Sequence, residues 1–200
     1  MKIGIDARII YYKGNKQKSR IGMCVYNLLK CLVKYDKRNQ YVLFCDSRVP
    51  HEKLEKYVSK KISIKYFPFS QYRKFIRQAY SQFLVSAFLT KERLDIFHAC
   101  AGTMPLIYPG KSILTLYKIE TKKAARALQK KICKKAKKIV VPSKNFKNKL
   151  CKTYKINSEK VETLGACTIH KSFKHKPCAE QILRIYKEIT QPKKKKKKKK

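Results

Sequence analysis

The segment SILTLYKIETKKAARALQKKICKKAKKIVV, residues 112–141, decides the fold class of this chain. It opens on the apolar run 112–117, which predicts a strand, and it closes on KIVV at 138–141, which predicts another. The basic residues 121–135 between them carry apolar side chains at helical spacing and predict a helix. A strand, a helix and a strand in immediate succession indicate a βαβ unit, whose two strands lie parallel in one sheet.

The same alternation continues outward from this unit in both directions. Further strands are predicted at 2–6, 40–45, 61–67, 95–98 and 160–164. Further helices are predicted at 20–35, at 71–89 and at 144–154, with Ser19 capping the first and Ser143 the last. Strands that alternate with helices form a sheet covered on both faces. We therefore predict an α/β, Rossmann-like fold with a mostly parallel sheet and helices on both faces.

Composition indicates a folded and strongly basic domain. The 200 residues include 51 Lys and Arg against 12 Asp and Glu, a formal net charge of +39, and 44% of them are hydrophobic. This apolar fraction excludes a wholly disordered chain, and the composition excludes collagen-like and coiled-coil structures. Lysines occur throughout the chain, so a solvated basic surface is the simplest interpretation. Charge-driven binding of nucleic acid or of an anionic membrane is the alternative.

Two features of the sequence indicate the cellular compartment of the protein. The most apolar stretch, 83–89, has about seven residues, whereas a membrane-spanning helix needs about 20. The N-terminal sequence MKIGIDARII carries Asp6 and lacks the apolar region of a signal peptide. The sequence thus predicts a cytoplasmic protein, with peripheral association at the inner face of the membrane as an alternative. Its eight cysteines are expected to be mostly free thiols.

The predicted sheet directs the search for a site to the loops that follow its strands. Ligands of parallel α/β sheets bind beyond the carboxyl ends of the strands, which here lie near Asp6, His98 and Thr115. No two carboxylates stand at a spacing suited to acid–base catalysis, and Asp6 is among those that stand alone. No Walker-type phosphate loop is present either. We therefore predict no catalytic residue.

The segment 167–178 contains two cysteines and two histidines, namely Cys167, His170, His175 and Cys178. Such side chains can hold a tetrahedral zinc ion. The segment lacks the separated ligand pairs of structural zinc sites, however, and all four side chains lie in one short stretch. We predict no metal site and no cofactor.

Three segments of the chain resemble, in the same order, the N-terminal domain of family-4 glycosyltransferases, which have the GT-B fold. They are MKIGIDAR with SRIGMCVYNLLKCL, then DIFHACAGTMPLIYPGKSILTLYKIE, then KKAKKIVVPSKNFKNKLCKTYKINSEKVETLGA. The resemblance implies that residues 1–173 form a Rossmann-like, acceptor-side domain.

The C-terminal part of the chain adds to this resemblance. CAEQILRIYKEI, residues 178–189, resembles the last helix of these enzymes, which returns from the second domain onto the first. We accordingly predict a linker and a returning helix at 174–190 and a disordered poly-lysine tail at 191–200. The donor-binding domain that the family places before this helix is expected to be missing from these residues.

The resemblance also implies an activity. The family transfers a sugar from a nucleoside-diphosphate sugar to a glycan or lipid-linked acceptor, with retention at the anomeric carbon. Its glycine-rich loop corresponds here to Ser19-Arg20-Ile21-Gly22, in which Arg20 replaces a glycine. The residues predicted to contact donor phosphates or substrate are Arg20, Ile21, Gly22, His98, Thr115 and Tyr117.

Tyr117 stands where many members of the family have a histidine in the catalytic cleft. A tyrosine with an ordinary pKa of about 10 cannot accept a proton near neutral pH as that histidine does. Because this histidine and a donor-binding domain are both expected to be absent, the isolated chain is expected to be weak or inactive as an enzyme.

Other classes of function stay open at this point. One is an accessory or acceptor-binding subunit, completed by a separate donor-domain chain or by a second copy of the same chain. Another is a binder of polyanions, driven by charge, whose partner is an anionic membrane surface or nucleic acid without sequence preference. A remnant without a selected function is the third.

Overall fold

The computed structural model of the chain describes residues 1–10, 16–46, 55, 58–67, 80–164 and 175–191. The strands in these ranges are β1 (Lys2–Asp6), β2 (Gln40–Cys45), β3 (Ile62–Tyr66), β4 (Ile96–Ala99), β5 (Ser112–Thr115), β6 (Lys138–Val141) and β7 (Val161–Thr163). The α-helices there are α1 (Lys16–Tyr35), α2 (Val85–Lys91), α3 (Lys123–Lys135), α4 (Lys144–Tyr154) and α5 (His175–Thr190). A π-helical turn, Tyr80–Leu84, leads into α2, and a 3-10 turn, Ser158–Lys160, precedes β7.

These strands form one parallel sheet in the order β3-β2-β1-β4-β5-β6-β7. The strand order reverses between β1 and β4, where Ile5 and His98 lie side by side. The α/β, Rossmann-like class predicted from the sequence is confirmed. The sheet is parallel throughout the described strands.

Two hydrophobic cores cover the sheet, one on each face. On one face α1 and α5 pack against the sheet and against each other, with Leu32 and Ile182 in the core. On the other face α2, α3 and α4 contribute Leu89, Ile132 and Leu150. Each of these five side chains is at most 3% exposed, and burying one stabilises the fold by about 1.5–3 kcal/mol. Helices on both faces were predicted and are confirmed.

The starts of two helices were predicted from the serines expected to cap them, and one of these two predictions is confirmed. Ser143 caps α4 as predicted, because its Oγ accepts a hydrogen bond from the backbone N–H of Phe146 at 3.2 Å. Helix α1 instead begins at Lys16, so Ser19 lies inside the helix and its predicted role as a cap is wrong. The three residues before Ser19 are lysine and glutamine, which are good helix formers and extend the helix beyond the apparent cap.

The predicted helix at 71–89 is described only from residue 80 onward. In that part a π-helical turn at Tyr80–Leu84 comes first, and α2 follows at Val85–Lys91. The apolar spacing that predicts a helix does not distinguish a single π turn from an α turn, so the irregularity could not be read from it.

Some predictions concern residues outside the described ranges. Residue 174, most of the cysteine and histidine segment 167–178, and the poly-lysine run 193–200 lie there, so the predicted tail stays a prediction. The rest of the predicted linker, from His175 onward, belongs to helix α5. Helix α5 lies where the returning helix was predicted, and it packs against α1. Among the described helices, none has both the length and the apolar character needed to cross a membrane.

Candidate functional site

A crevice is expected where the strand order of a doubly wound sheet reverses, beyond the carboxyl ends of the two strands involved. Here those strands are β1, which ends at Asp6, and β4, which ends at Ala99. Asp6 and His98 are completely buried at this edge. The segments that follow these strands, together with the start of α1, therefore form the candidate site.

Asp6 is held by the arginine two residues after it. The Arg8 guanidinium donates from Nε to Oδ1 of Asp6 at 2.8 Å and from Nη2 to Oδ2 at 2.7 Å. The guanidinium also lies over the ring of Phe67, 5.0 Å from its centroid. A two-pronged arginine–carboxylate pair is strong and fixed in direction. Asp6 thus has a fixed cationic partner, which the sequence analysis did not predict.

Arg8 brings a fixed positive charge to the edge of the sheet. Its side chain is 13% exposed, whereas that of Asp6 is fully buried. The buried carboxylate thus orients the guanidinium and neutralises much of its charge. The signal in the sequence was an arginine two residues beyond the acid that ends a strand, a spacing that lets the side chain fold back onto the carboxylate.

His98 and Thr115, both predicted site residues, are brought together by the sheet. The Nε2 of His98 lies 2.7 Å from Oγ1 of Thr115, and its Nδ1 lies 2.8 Å from the hydroxyl of Tyr186. Tyr186 belongs to α5, so this hydrogen-bonded chain ties that helix to the centre of the sheet. All three side chains are at most 3% exposed.

The environment of His98 keeps its ring neutral. Burial lowers the pKa of His98 to about 4, and the negative charge of Asp6 opposes this shift without reversing it. Both ring nitrogens have hydrogen-bond partners and the side chain has no exposed surface. In this conformation His98 supports the crevice from below and does not line it.

Gly22 lies in α1 against the loop that follows β1. A Cβ built on Gly22 would lie 2.4 Å from the backbone oxygen of Ile9, a distance that side chains do not tolerate. The glycine thus lets α1 approach the 7–10 segment closely. Of its two predicted partners, Arg20 is exposed and Ile21 is half-buried, so Arg20 is the one that offers a charged group to a ligand.

Tyr117 lies beside α1, close to the part of the helix that contains Gly22. Its side chain is hydrogen-bonded to the thiol of Cys24, two residues after Gly22. Burial raises the pKa of Cys24 to about 11, and the hydrogen bond from Tyr117 opposes that rise in part. Cys24 therefore stays protonated at neutral pH and is not a nucleophile. Tyr117 therefore lies against α1, next to Cys24.

Sequence reasoning did not identify Arg8 and Tyr186 at this edge. The Asp-x-Arg spacing pointed to Arg8, whereas nothing in the sequence around Tyr186 indicates which strand its hydroxyl meets. Within the described ranges no three His, Cys, Asp or Glu side chains gather as a metal site. Of the cysteine and histidine segment, Cys178 is described and is buried.

The strand order defines a doubly wound, Rossmann-like α/β domain. Residues 21–165 match the family described as Glycosyltransferase Family 4, which is more than half of the chain. The chain belongs to Glycosyltransferase Family 4. No curated protein matches its sequence.

Two solved structures with the GT-B fold resemble the described fold. The Anabaena protein HepE, crystallised in complex with UDP and glucose, is 13% identical, with a TM-score of 0.50 over 82% of this chain and 43% of that one. A Listeria monocytogenes protein assigned provisionally as a UDP-N-acetylglucosamine 2-epimerase is also 13% identical, with a TM-score of 0.55 over 90% and 50%. The chain thus spans half or less of the length of each, and the likeness shows the fold.

Proposed function

We propose that this chain is the acceptor-side domain of a retaining glycosyltransferase that uses a nucleoside-diphosphate sugar. The observation that carries the proposal is the match to Glycosyltransferase Family 4 over residues 21–165, which includes Gly22, His98 and Tyr117. These three residues lie at or below the crevice where ligands of such sheets bind. A glycan or a lipid-linked glycan is the acceptor class that the family implies.

In this proposal the crevice binds and orients substrates, and the chain alone does not complete the reaction. A departing diphosphate needs cations and N–H donors from both sides of a cleft. This domain supplies the exposed Arg20 near the start of α1 and the fixed Arg8 guanidinium at the end of β1. His98 is neutral and buried, and both of its ring nitrogens are hydrogen-bonded, so it is not placed to accept a proton from a substrate. The donor-binding half must supply the rest.

Titration calorimetry with UDP-glucose and GDP-mannose tests this proposal. We expect weak binding by the full chain that persists at raised salt, and we expect Arg20→Ala to reduce the affinity about tenfold, as loss of a charge-assisted hydrogen bond would. Arg38→Ala is the matched control, because Arg38 is also an exposed arginine but lies after α1, at the amino edge of the sheet.

Two outcomes would count against the proposal. One is the absence of binding to either nucleotide sugar. The other is an equal loss of affinity in Arg20→Ala and Arg38→Ala, because that would mean that the overall charge of the chain, and not the crevice, attracts the nucleotide.

A second candidate function is an accessory subunit completed by another polypeptide. What favours it is the chemistry of a departing diphosphate, which needs cations and N–H donors from both sides of a cleft, whereas the described sheet supplies one side. In that case sugar transfer appears only when a donor-domain chain or a second copy is present. As part of either proposal we place the protein in the cytoplasm, which its seven described free thiols support.

A further inference from the structure

One face of the sheet carries two helices that are rich in cations. Residues 121–155 contain 14 Lys and Arg and no Asp or Glu. Ten of these 14 belong to α3 and α4, which cover the same face, since they share one hydrophobic core. On the opposite face, α5 has Glu180 and Glu188 among its basic residues. The α3 and α4 helices thus bring ten cations and no acid to their face of the sheet.

A groove of about 380 Å³ lies between α3 and α4 on this face. Three cations of α3, Lys123, Arg126 and Lys130, line it from one side of that helix. Thr153 lines it from α4, and Thr121 lines it at the entrance to α3. A volume of this size is within the range of small-molecule binding sites, which is about 300–1,000 Å³.

The cations of the groove have no acidic partners in the part of the chain that the structure describes. No ion pair described there includes Lys123, Arg126 or Lys130. The nearest acid along the chain, Glu120, is paired with Lys118 at 2.9 Å. Like charges three and four residues apart on a helix repel each other. An anion in the groove would relieve this repulsion.

Polar contacts fix the inner wall of the groove. The hydroxyl of Tyr154 donates to Oε1 of Gln129, which also accepts the backbone N–H of Glu120 at 2.9 Å. Nε2 of Gln129 donates to the carbonyl oxygen of Lys118 at 3.1 Å. These bonds join α3, α4 and the loop before α3. The groove is thus preformed, and binding need not first order its wall.

We propose that the α3–α4 groove binds a ligand that carries two or more phosphate groups. Lysine, arginine and threonine hydroxyls are the side chains that hold phosphate oxygens. Lys123 and Lys130 are two helical turns apart, about 10 Å along the axis, so they match an elongated, multiply charged anion better than a single phosphate. The start of α3 adds positive potential, because its cap, Lys122, makes no side-chain bond and its first turn has no acid.

The groove favours a polyphosphate group over nucleic acid. Single-stranded nucleic acids bind through aromatic side chains on which bases stack. The aromatic residue in the groove lining is Tyr154, which is buried and whose hydroxyl is already bonded. The phosphates themselves are therefore what the groove recognises, whether they belong to a soluble polyphosphate or to a phosphorylated lipid headgroup.

Calorimetry with tripolyphosphate and the full chain tests this site. We expect one saturable site at near-physiological salt. We expect the triple variant Lys123→Gln, Arg126→Gln, Lys130→Gln to bind at least about tenfold more weakly, since it loses three charge-assisted contacts. The matched control is Lys131→Gln, Lys144→Gln, Lys149→Gln, which removes the same charge from exposed positions of α3 and α4 that do not line the groove. The control should bind within about twofold of the unchanged protein.

Two further experiments distinguish binding in the groove from binding in the crevice and identify the source of the phosphate. Arg20→Ala should leave tripolyphosphate binding unchanged even if nucleotide sugars fail to bind the crevice. Vesicles of phosphatidylcholine with a bisphosphorylated inositol lipid should bind and be displaced by tripolyphosphate if the headgroup is the source. Equal losses in both triple variants, or tighter binding of single-stranded RNA than of tripolyphosphate by the same groove, would overturn the proposal.

Discussion

His98 is a buried histidine whose pKa is strongly lowered by the fold. Burial lowers its pKa from 6.5 to about 4, so the folded protein holds it neutral where an exposed histidine would bind a proton. Its ring joins Thr115 on the neighbouring strand to Tyr186 on α5. The residue that the family pattern places at the crevice is therefore one on which the stability of the fold depends.

The neutral state of His98 predicts a loss of stability in acid. Below pH 6.5 the unfolded chain takes up a proton at His98 and the folded chain does not, so stability is complete above pH 6.5 and falls as the pH drops towards 4. Between pH 7 and pH 5 this residue should cost the protein about 2 kcal/mol of unfolding free energy. Urea denaturation of the chain and of His98→Gln at both pH values measures the difference.

The comparison isolates His98 because the other histidines are present in both proteins. The unchanged chain should lose about 2 kcal/mol more than His98→Gln over this interval. Equal losses of unfolding free energy in the two proteins would contradict this prediction. They would show that His98 takes up a proton in the folded chain as readily as in the unfolded chain, and so is not buried between Thr115 and Tyr186.

At the scale of single residues, part of the site could be predicted from the sequence. His98 and Thr115 end neighbouring parallel strands, so their contact follows from the order of the strands. The Asp6–Arg8 pair is local and left a signal in the spacing. The hydroxyl of Tyr186 meets His98 across 88 residues, and only the packing of α5 against α1 determines that contact.

At the scale of secondary structure, the alternating pattern predicted the strands to within one or two residues of their described ends. Apolar runs bounded by polar loops mark buried parallel strands clearly. The start of α1 and the π-helical turn before α2 were missed because they depend on helix propensity and on tertiary packing, to which apolar spacing is insensitive. Cys24 and Cys31, seven residues apart on α1, are both buried in the core that α1 shares with α5.

The close packing of α1 on the loop after β1 predicts that Gly22→Ala lowers the stability of the protein, whereas the same change in an open helix raises it. In a helix with free space, Gly→Ala raises stability by about 1 kcal/mol. At Gly22 the new Cβ would lie 2.4 Å from the Ile9 oxygen, so we expect Gly22→Ala to lower the unfolding free energy by about 1–3 kcal/mol. Thermal unfolding followed by circular dichroism measures it. An unchanged or higher midpoint would show that α1 does not approach the loop this closely.

At the scale of the whole molecule, the two candidate regions differ in position and in chemistry. The crevice lies at the carboxyl edge of the sheet, between β1 and β4, and is the substrate site that we propose. The α3–α4 groove lies on one face of the sheet and is lined by cations and threonines. The composition predicted a basic surface. It did not predict that α3 and α4 lie on the same face, because that follows from the order of the strands in the sheet.

The measurement that we would make first maps the binding of UDP-glucose onto the chain by changes in backbone amide chemical shifts. We expect shifts in the segments around the crevice, at 7–10, 20–23, 99–102 and 116–118, with little change along α4 or at the amino edge of the sheet. The absence of shifts, or shifts confined to the α3–α4 groove, would contradict the assignment of the crevice as the substrate site of this glycosyltransferase domain.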